Sequence, residues 1–156
     1  MISLRLINEA KLHSALIRWF SWSDWNHVDF ALPDGTFLGA RIEGGVQIRP
    51  ANYTSPRRSL YLGVSLGAEL EARILWLARQ QIGKPYNLLG ILGFPLRRDF
   101  GDGKSFFCSQ LVAWCFDQAP YPLLIAKPDR ISPGMLAESP LLSHVGYAAA
   151  RPGAPA

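Results

Sequence analysis

Two cysteines and three histidines are the residues of this chain best suited to nucleophilic chemistry: Cys108 and Cys115, and His13, His27 and His144. A cysteine nucleophile acts as a thiolate, with a base to take its proton and a further group to orient that base. Helix N-termini favour the thiolate, because unpaired N–H groups and the helix dipole stabilise negative charge. Cys108 is expected in such a place, in the first turn of an apolar helix over Phe106–Phe116. Cys115 lies deeper in that helix and is expected to be buried and inert. Two helical turns separate the pair by about 10 Å along the axis, too far for a disulfide. Their spacing is not that of zinc ligands either. The chain therefore carries two free thiols, which suits a reducing compartment or a reactive cysteine. The competing reading of Cys108 is an ordinary core cysteine. Of the histidines, His13 falls on a surface helix, His27 opens a strand beside Trp25, and His144 lies near the end of the chain.

The elements that must position these residues follow from hydrophobic periodicity. A strand is expected over Ile2–Ile7 and a helix over Glu9–Phe20. A loop holding Trp22 and Trp25 comes next. His27–Leu32 and Phe37–Ile42 form a hairpin about Pro33-Asp34-Gly35-Thr36. Gly44-Gly45 ends it, and Val46–Arg49 and Ser59–Val64 are further strands. The clearest helix is Ala68–Ile82, stopped by Gly83, with Lys84-Pro85-Tyr86 as a rigid exit. A long loop over Asn87–Ser105 leads to the Cys108 helix, and its apolar stretch Leu88–Leu96 suits a lid. Ser132-Pro133 caps a short helix reaching about Ser139.

Composition sets the outer limits. The chain has 156 residues, 49% of them hydrophobic and only 18% charged. That is enough for one real core, read here as a single domain over residues 1–147 with an Ala/Pro/Gly-rich tail over 148–156. No apolar run reaches the roughly 18 residues of a membrane span. The net charge of +4 is scattered apart from Arg57-Arg58 and Arg97-Arg98, so a nucleic-acid partner is not expected. The first ten residues hold Arg5 and Glu9 and no signal-peptide pattern, which points to the cytoplasm.

Ile82-Gly83-Lys84-Pro85-Tyr86, followed by Phe106-Phe107-Cys108-Ser109-Gln110-Leu111-Val112, resembles the hallmark of the NlpC/P60 papain-like cysteine hydrolases. Because Trp25-Asn26-His27-Val28 and its hairpin precede the cysteine, the chain is more similar to the circularly permuted, YiiX-like branch. The resemblance spans roughly Ser14–Leu142. It implies an α+β, papain-like fold in which a mostly antiparallel sheet packs against the nucleophile-bearing helix. It also implies His27 as the base rather than His144, since only twelve residues follow His144 and the unpermuted fold needs further strands there.

The third catalytic position is where the chain departs from that branch. The resemblance places a polar residue, Glu in YiiX-like proteins, before the Ala of the second hairpin strand. Here that position is Gly39. A two-residue turn at Asp34-Gly35 would set only Leu38, Ala40 and Ile42 on the face of His27, whereas an odd-length loop would set Arg41 and Glu43 there. Asp29, two residues from His27 on one strand face, is the candidate to orient the ring. Its alternatives are a helix cap or a partner for Arg41. By resemblance Tyr86 lines the cleft and serves the oxyanion with the Cys108 N–H. Trp25 and Trp22 could wall a substrate groove or fill a gap in the core.

The function implied is a cysteine amidase or peptidase working without metal or organic cofactor. Its substrate would be a peptide, cell-wall-type or acyl compound, and a phage-encoded setting would suit such a bare domain. The alternatives are a non-catalytic binding or assembly module on the same fold, and a lipid-directed acyl hydrolase or acyltransferase.

Overall fold

Alternation of apolar and polar residues builds the central sheet. In β1 (Ile2–Asn8), Ile2, Leu4 and Leu6 face the core while Ser3 and Arg5 face the other way. The same pattern puts Val28 and Phe30 of β2 (His27–Ala31) inward and sends His27 and Asp29 to the opposite face. With β3 (Phe37–Arg41), β4 (Gly45–Arg49), β5 (Arg58–Val64) and β6 (Ser143–Ala149), they form one antiparallel sheet ordered β4-β3-β2-β1-β5-β6. The computed structural model describes residues 1–9, 23–88 and 104–149.

Two helices cover the apolar face. α1 (Ala68–Arg79) buries Ile74 and Ala78. α2 (Cys108–Gln118) buries Leu111, Val112, Cys115 and Phe116, and the Phe116 ring stacks on Phe30 at 6.3 Å and 9°. A short α3 (Pro133–Ala137) starts as expected from Ser132, whose hydroxyl accepts from the Met135 N–H at 3.2 Å. Among the described residues no helix is long and apolar enough to cross a membrane.

Several boundaries differ from the expectations. α1 stops at Arg79, and a non-helical turn carries the chain to Gly83, whose φ of 92° only glycine adopts readily. α2 begins at Cys108 rather than Phe106, because Phe106 is bridged to Tyr86. The second hairpin strand ends at Arg41, one residue before Ile42. Ala148 and Ala149 belong to β6, not to a tail. The turn at Asp34-Gly35 is not a two-residue loop: Ala31 pairs with Phe37, and the Leu32 N–H donates to the Thr36 carbonyl at 2.9 Å. Pro33, Asp34 and Gly35 thus make a three-residue loop, with Gly35 at φ 81°. That odd length flips the register, so Gly39 and Arg41, not Leu38, Ala40 and Ile42, share the face of His27. The expected helix beyond Glu9 with His13, the loop residue Trp22, and most of the Asn87–Ser105 loop with its Leu88–Leu96 lid lie outside the described residues.

Candidate active site

Cys108 is the first residue of α2. Phe107 is extended before it, and the Gln110 side chain reaches back to accept from the Phe107 N–H at 3.2 Å. The thiol therefore sits against the free N–H groups of the helix start. Tyr86 is delivered to it by two joints. Gly83 and Lys84 dock on the outer edge of β4 through Gly83 N–H to Val46 O and Val46 N–H to Lys84 O, each 2.9 Å. Next, Asn87 N–H to Phe106 O at 3.1 Å and Phe106 N–H to Pro85 O at 3.2 Å tie the segment to the residues just before α2. This explains the Gly-Lys-Pro-Tyr wording: the glycine ends the turn that follows α1, and the tyrosine arrives beside the sulfur.

The geometry brings Cys108, His27, Asp29 and Tyr86 together. The Cys108 sulfur sits within electrostatic reach of the His27 ring, Tyr86 and the Val28 N–H. The Val28 N–H is free to face it because the β2–β3 ladder covers only Phe30↔Leu38 and Ala31↔Phe37. His27 Nε2 lies 2.8 Å from Asp29 Oδ1. A carboxylate only accepts, so Nε2 carries the hydrogen and Nδ1 is left to face the sulfur. Asp29 is 1% exposed, and its other oxygen accepts from the Tyr53 hydroxyl and from Arg5 at 3.4 Å.

The electrostatics follow from burial and pairing. Burial alone would lower the pKa of His27, but the Asp29 charge and hydrogen bond, with the Cys108 sulfur, raise it to about 9. Burial would raise Asp29, yet His27, Tyr53 and Arg5 bring it down to about 2. Burial also opposes ionisation of Cys108, and the His27 hydrogen bond and charge, helped by the Val28 N–H, outweigh it and lower the thiol. Both shifts favour the same state, a thiolate beside an imidazolium. Tyr86 is pushed well above its usual range by burial and by the Cys108 charge, so it stays a donor. Cys115 is fully buried and is pushed up by burial alone.

The remaining residues fall elsewhere. Trp25 is partly buried against the core, and the Arg58 guanidinium lies 5.4 Å over its ring. His144 is exposed on β6, which β1 and β5 separate from β2. Arg41 does not pair with Asp29 but with Glu9 at 2.7 Å, and Arg49 clamps the Gly39, Glu43 and Gly45 carbonyls at 2.9 Å.

Gly39 has a structural reason. A Cβ built on it would overlap Asp29 Oδ1 and stand 3.0 Å from the carboxyl carbon. The Asp29 carboxylate fills the space that a side chain on β3 would take. Sequence reasoning missed Arg5 and Tyr53. Arg5 was detectable as a charge inside an apolar strand, which needs a buried acceptor. Tyr53 stands in an irregular loop and gives no such signal.

No family model matches this chain, and no curated protein matches it. Its fold does have a solved counterpart. The crystal structure of the metalloprotein YiiX from Escherichia coli O157:H7 superposes with a TM-score of 0.75, over 94% of this chain and 96% of that one, at 15% identity. Identity that low speaks for the fold alone: this chain has a YiiX-like α+β fold.

Proposed function

We propose that the protein is a cysteine hydrolase of the amidase or peptidase type, built as a circularly permuted NlpC/P60-like papain fold. The observation that carries this reading is the line of buried side chains that runs from Cys108, first residue of a buried helix, to the His27 ring beside it and on to Asp29, whose Oδ1 lies 2.8 Å from His27 Nε2.

In this mechanism the Cys108 thiolate attacks the carbonyl carbon of an amide or ester. The oxyanion is met by the Cys108 N–H and the Tyr86 hydroxyl. As the tetrahedral intermediate collapses, His27 gives its Nδ1 proton to the leaving amine or alcohol, and a Cys108 thioester remains. Water then attacks the thioester while His27 takes its proton, and the carboxylic acid product leaves as the thiolate is restored. Asp29 holds the ring and keeps its charged form stable.

YiiX is described as a metalloprotein. The donors around His27 here do not suit a metal. Asp29 Oδ1 is committed to His27 and Oδ2 to Tyr53 and Arg5, whose positive charge a cation would have to face. Among the described residues no three His, Cys, Asp or Glu side chains form a metal-holding group.

The test is the pH dependence of Cys108 alkylation by iodoacetamide, read by site-resolved mass spectrometry. An apparent thiol pKa well below about 8.5 that rises in His27→Ala supports the mechanism. A slow thiol indifferent to His27 sinks it and favours a binding module. With an activated thiol in hand, peptide, cell-wall-type and acyl-ester substrates separate an amidase from a lipid-directed hydrolase.

A further inference from the structure

The mechanism above asks Asp29 only to orient His27 through Oδ1, and the structure is more specific about the other oxygen. Oδ2 is met by two donors from two different parts of the chain: the Tyr53 hydroxyl, from the loop between β4 and β5, and the Arg5 guanidinium, from β1. Arg5 stands opposite Asp29 in the β1–β2 register, so the sheet itself fixes it there. Tyr53 is fixed by its ring. Its centroid lies 6.0 Å from Phe37 in an edge contact, with the Arg5 and Arg41 guanidiniums 5.0 and 5.1 Å away. The ring is thus flanked by two buried cations that hold its hydroxyl on Asp29. The loop that carries it is closed locally by Tyr53 N–H to Pro50 O at 3.1 Å.

We propose that Tyr53 and Arg5 are positioning residues that set the rotation of the Asp29 carboxylate, with Tyr53 as the contact that decides between two orientations. The proposal rests on the Cys108–His27–Asp29 reading and deepens it. The physical argument is a competition. A carboxylate next to a guanidinium gains most by turning both oxygens toward it. At 3.4 Å from one Arg5 nitrogen, Asp29 has not done so. A Tyr53 hydroxyl on Oδ2 opposes that turn and leaves Oδ1 on His27. Burial and the Asp29 charge push the Tyr53 phenol above its usual range, so the phenol keeps its proton and remains a donor. Without it, the carboxylate is drawn to Arg5 and His27 loses its acceptor.

Tyr53→Phe tests this, since it keeps the ring between its cations and removes only the donor. Cys108 alkylation by iodoacetamide between pH 5 and 10 is the readout. The expected result is a thiol pKa that rises toward the ordinary range and a rate at pH 6 lower by about tenfold, the worth of one charge-assisted hydrogen bond. In an Asp29→Asn background the same change should leave the profile where Asp29→Asn put it, because the two act through one contact. The downfield imidazole N–H proton of His27 gives a second reading: it should shift or broaden in Tyr53→Phe while the rest of the spectrum stays folded. An unchanged pH profile and N–H proton in folded Tyr53→Phe overturns the proposal, as do additive effects with Asp29→Asn. Those outcomes differ from failure of the underlying mechanism, in which the wild-type thiol itself is ordinary and indifferent to His27→Ala.

Discussion

Gly39→Ala is the smallest change that tests whether one space is shared by two strands. The added Cβ would overlap Asp29 Oδ1 and come within 3.0 Å of its carboxyl carbon and 3.5 Å of its Cα. The Asp29 side chain must move, since its Cα belongs to the paired strand. Moving it breaks the contacts to His27, Tyr53 and Arg5 and strands a buried carboxylate, a loss of about 3–5 kcal/mol for a broken buried pair. Against this stands the modest gain of replacing glycine inside a strand, about 0.5–1 kcal/mol. The net expectation is a loss of about 3 kcal/mol, or roughly 10 °C in Tm for a chain of this size. In an Asp29→Ala background the obstructing oxygen is gone, and the same substitution should become neutral or slightly stabilising. Urea unfolding of the four proteins gives the cycle directly, and the expected signature is a change of sign between the two backgrounds. An equal cost in both would refute the shared-space reasoning, because nothing in Asp29 would then be setting the price of a side chain at 39.

The shared space also predicts a transfer: Asp29→Ala combined with Gly39→Asp should restore most of the low thiol pKa that Asp29→Ala alone loses, measured by alkylation of Cys108. Stability should depend on pH through the same groups. His27, at about 9 in the folded state against 6.5 unfolded, contributes fully below pH 6.5 and loses its contribution as pH rises through 9. Asp29, at about 2 against 3.8, contributes fully above pH 3.8 and loses it as pH falls through 2. The Cys108 thiol, lowered by the same His27 charge, works in the opposite sense and offsets the His27 decline in the wild type. In Cys108→Ser the unfolding free energy from urea titration should therefore be flat from about pH 4 to 6.5 and decline toward pH 9 by about 3 kcal/mol at most, and adding Asp29→Asn should flatten that alkaline decline. Glu9→Gln should destabilise by about 3 kcal/mol in urea unfolding without moving the thiol profile, because it leaves the buried Arg41 guanidinium with only the exposed Glu43 carboxylate, 3.8 Å away, as a charged partner among the described residues.

Legibility in the sequence varied with how local the determining signal was. β1 to β5, both long helices and the Ser132 cap were readable because alternation, helical spacing and capping chemistry are local, whereas β6 was not expected and is defined by its pairing with β5. The loop length at Pro33-Asp34-Gly35 was not decided by residue types, since Asp-Gly serves two-residue and three-residue turns alike, and one residue of register exchanged every neighbour of His27. Cys108, His27, Asp29 and Tyr86 were each nameable. Their assembly depends on contacts that cross the sheet, and Gly39 could be read only as a loss until Asp29 was seen to occupy its space. Arg5 sat in plain view inside an apolar strand, whereas nothing in the Pro50–Arg57 sequence marks Tyr53.

The placement of the nucleophile follows from how the sheet is divided. Its apolar face, with Leu4, Leu6, Val28, Phe30, Leu38 and Leu62, is closed by α1 and α2 and carries the hydrophobic stabilisation. Its other face buries Arg5, Asp29 and Arg41, an expensive choice unless each charge is partnered. A residue on a helix packed against the first face has no ordinary route to the second. The route here is the early end of the β2–β3 ladder. Past Phe30↔Leu38 the Val28 N–H is released from strand pairing within electrostatic reach of the Cys108 sulfur, so the start of α2 meets β2 at a point where the strand's own backbone is available. Gly39 belongs to the same arrangement: with no side chain, β3 can pass the Asp29 carboxylate closely while leaving the ladder open. Restoring the ladder would give Val28 a carbonyl partner and remove a donor from the thiolate, so the opening that weakens the sheet is the one that lets helix and polar face share a site.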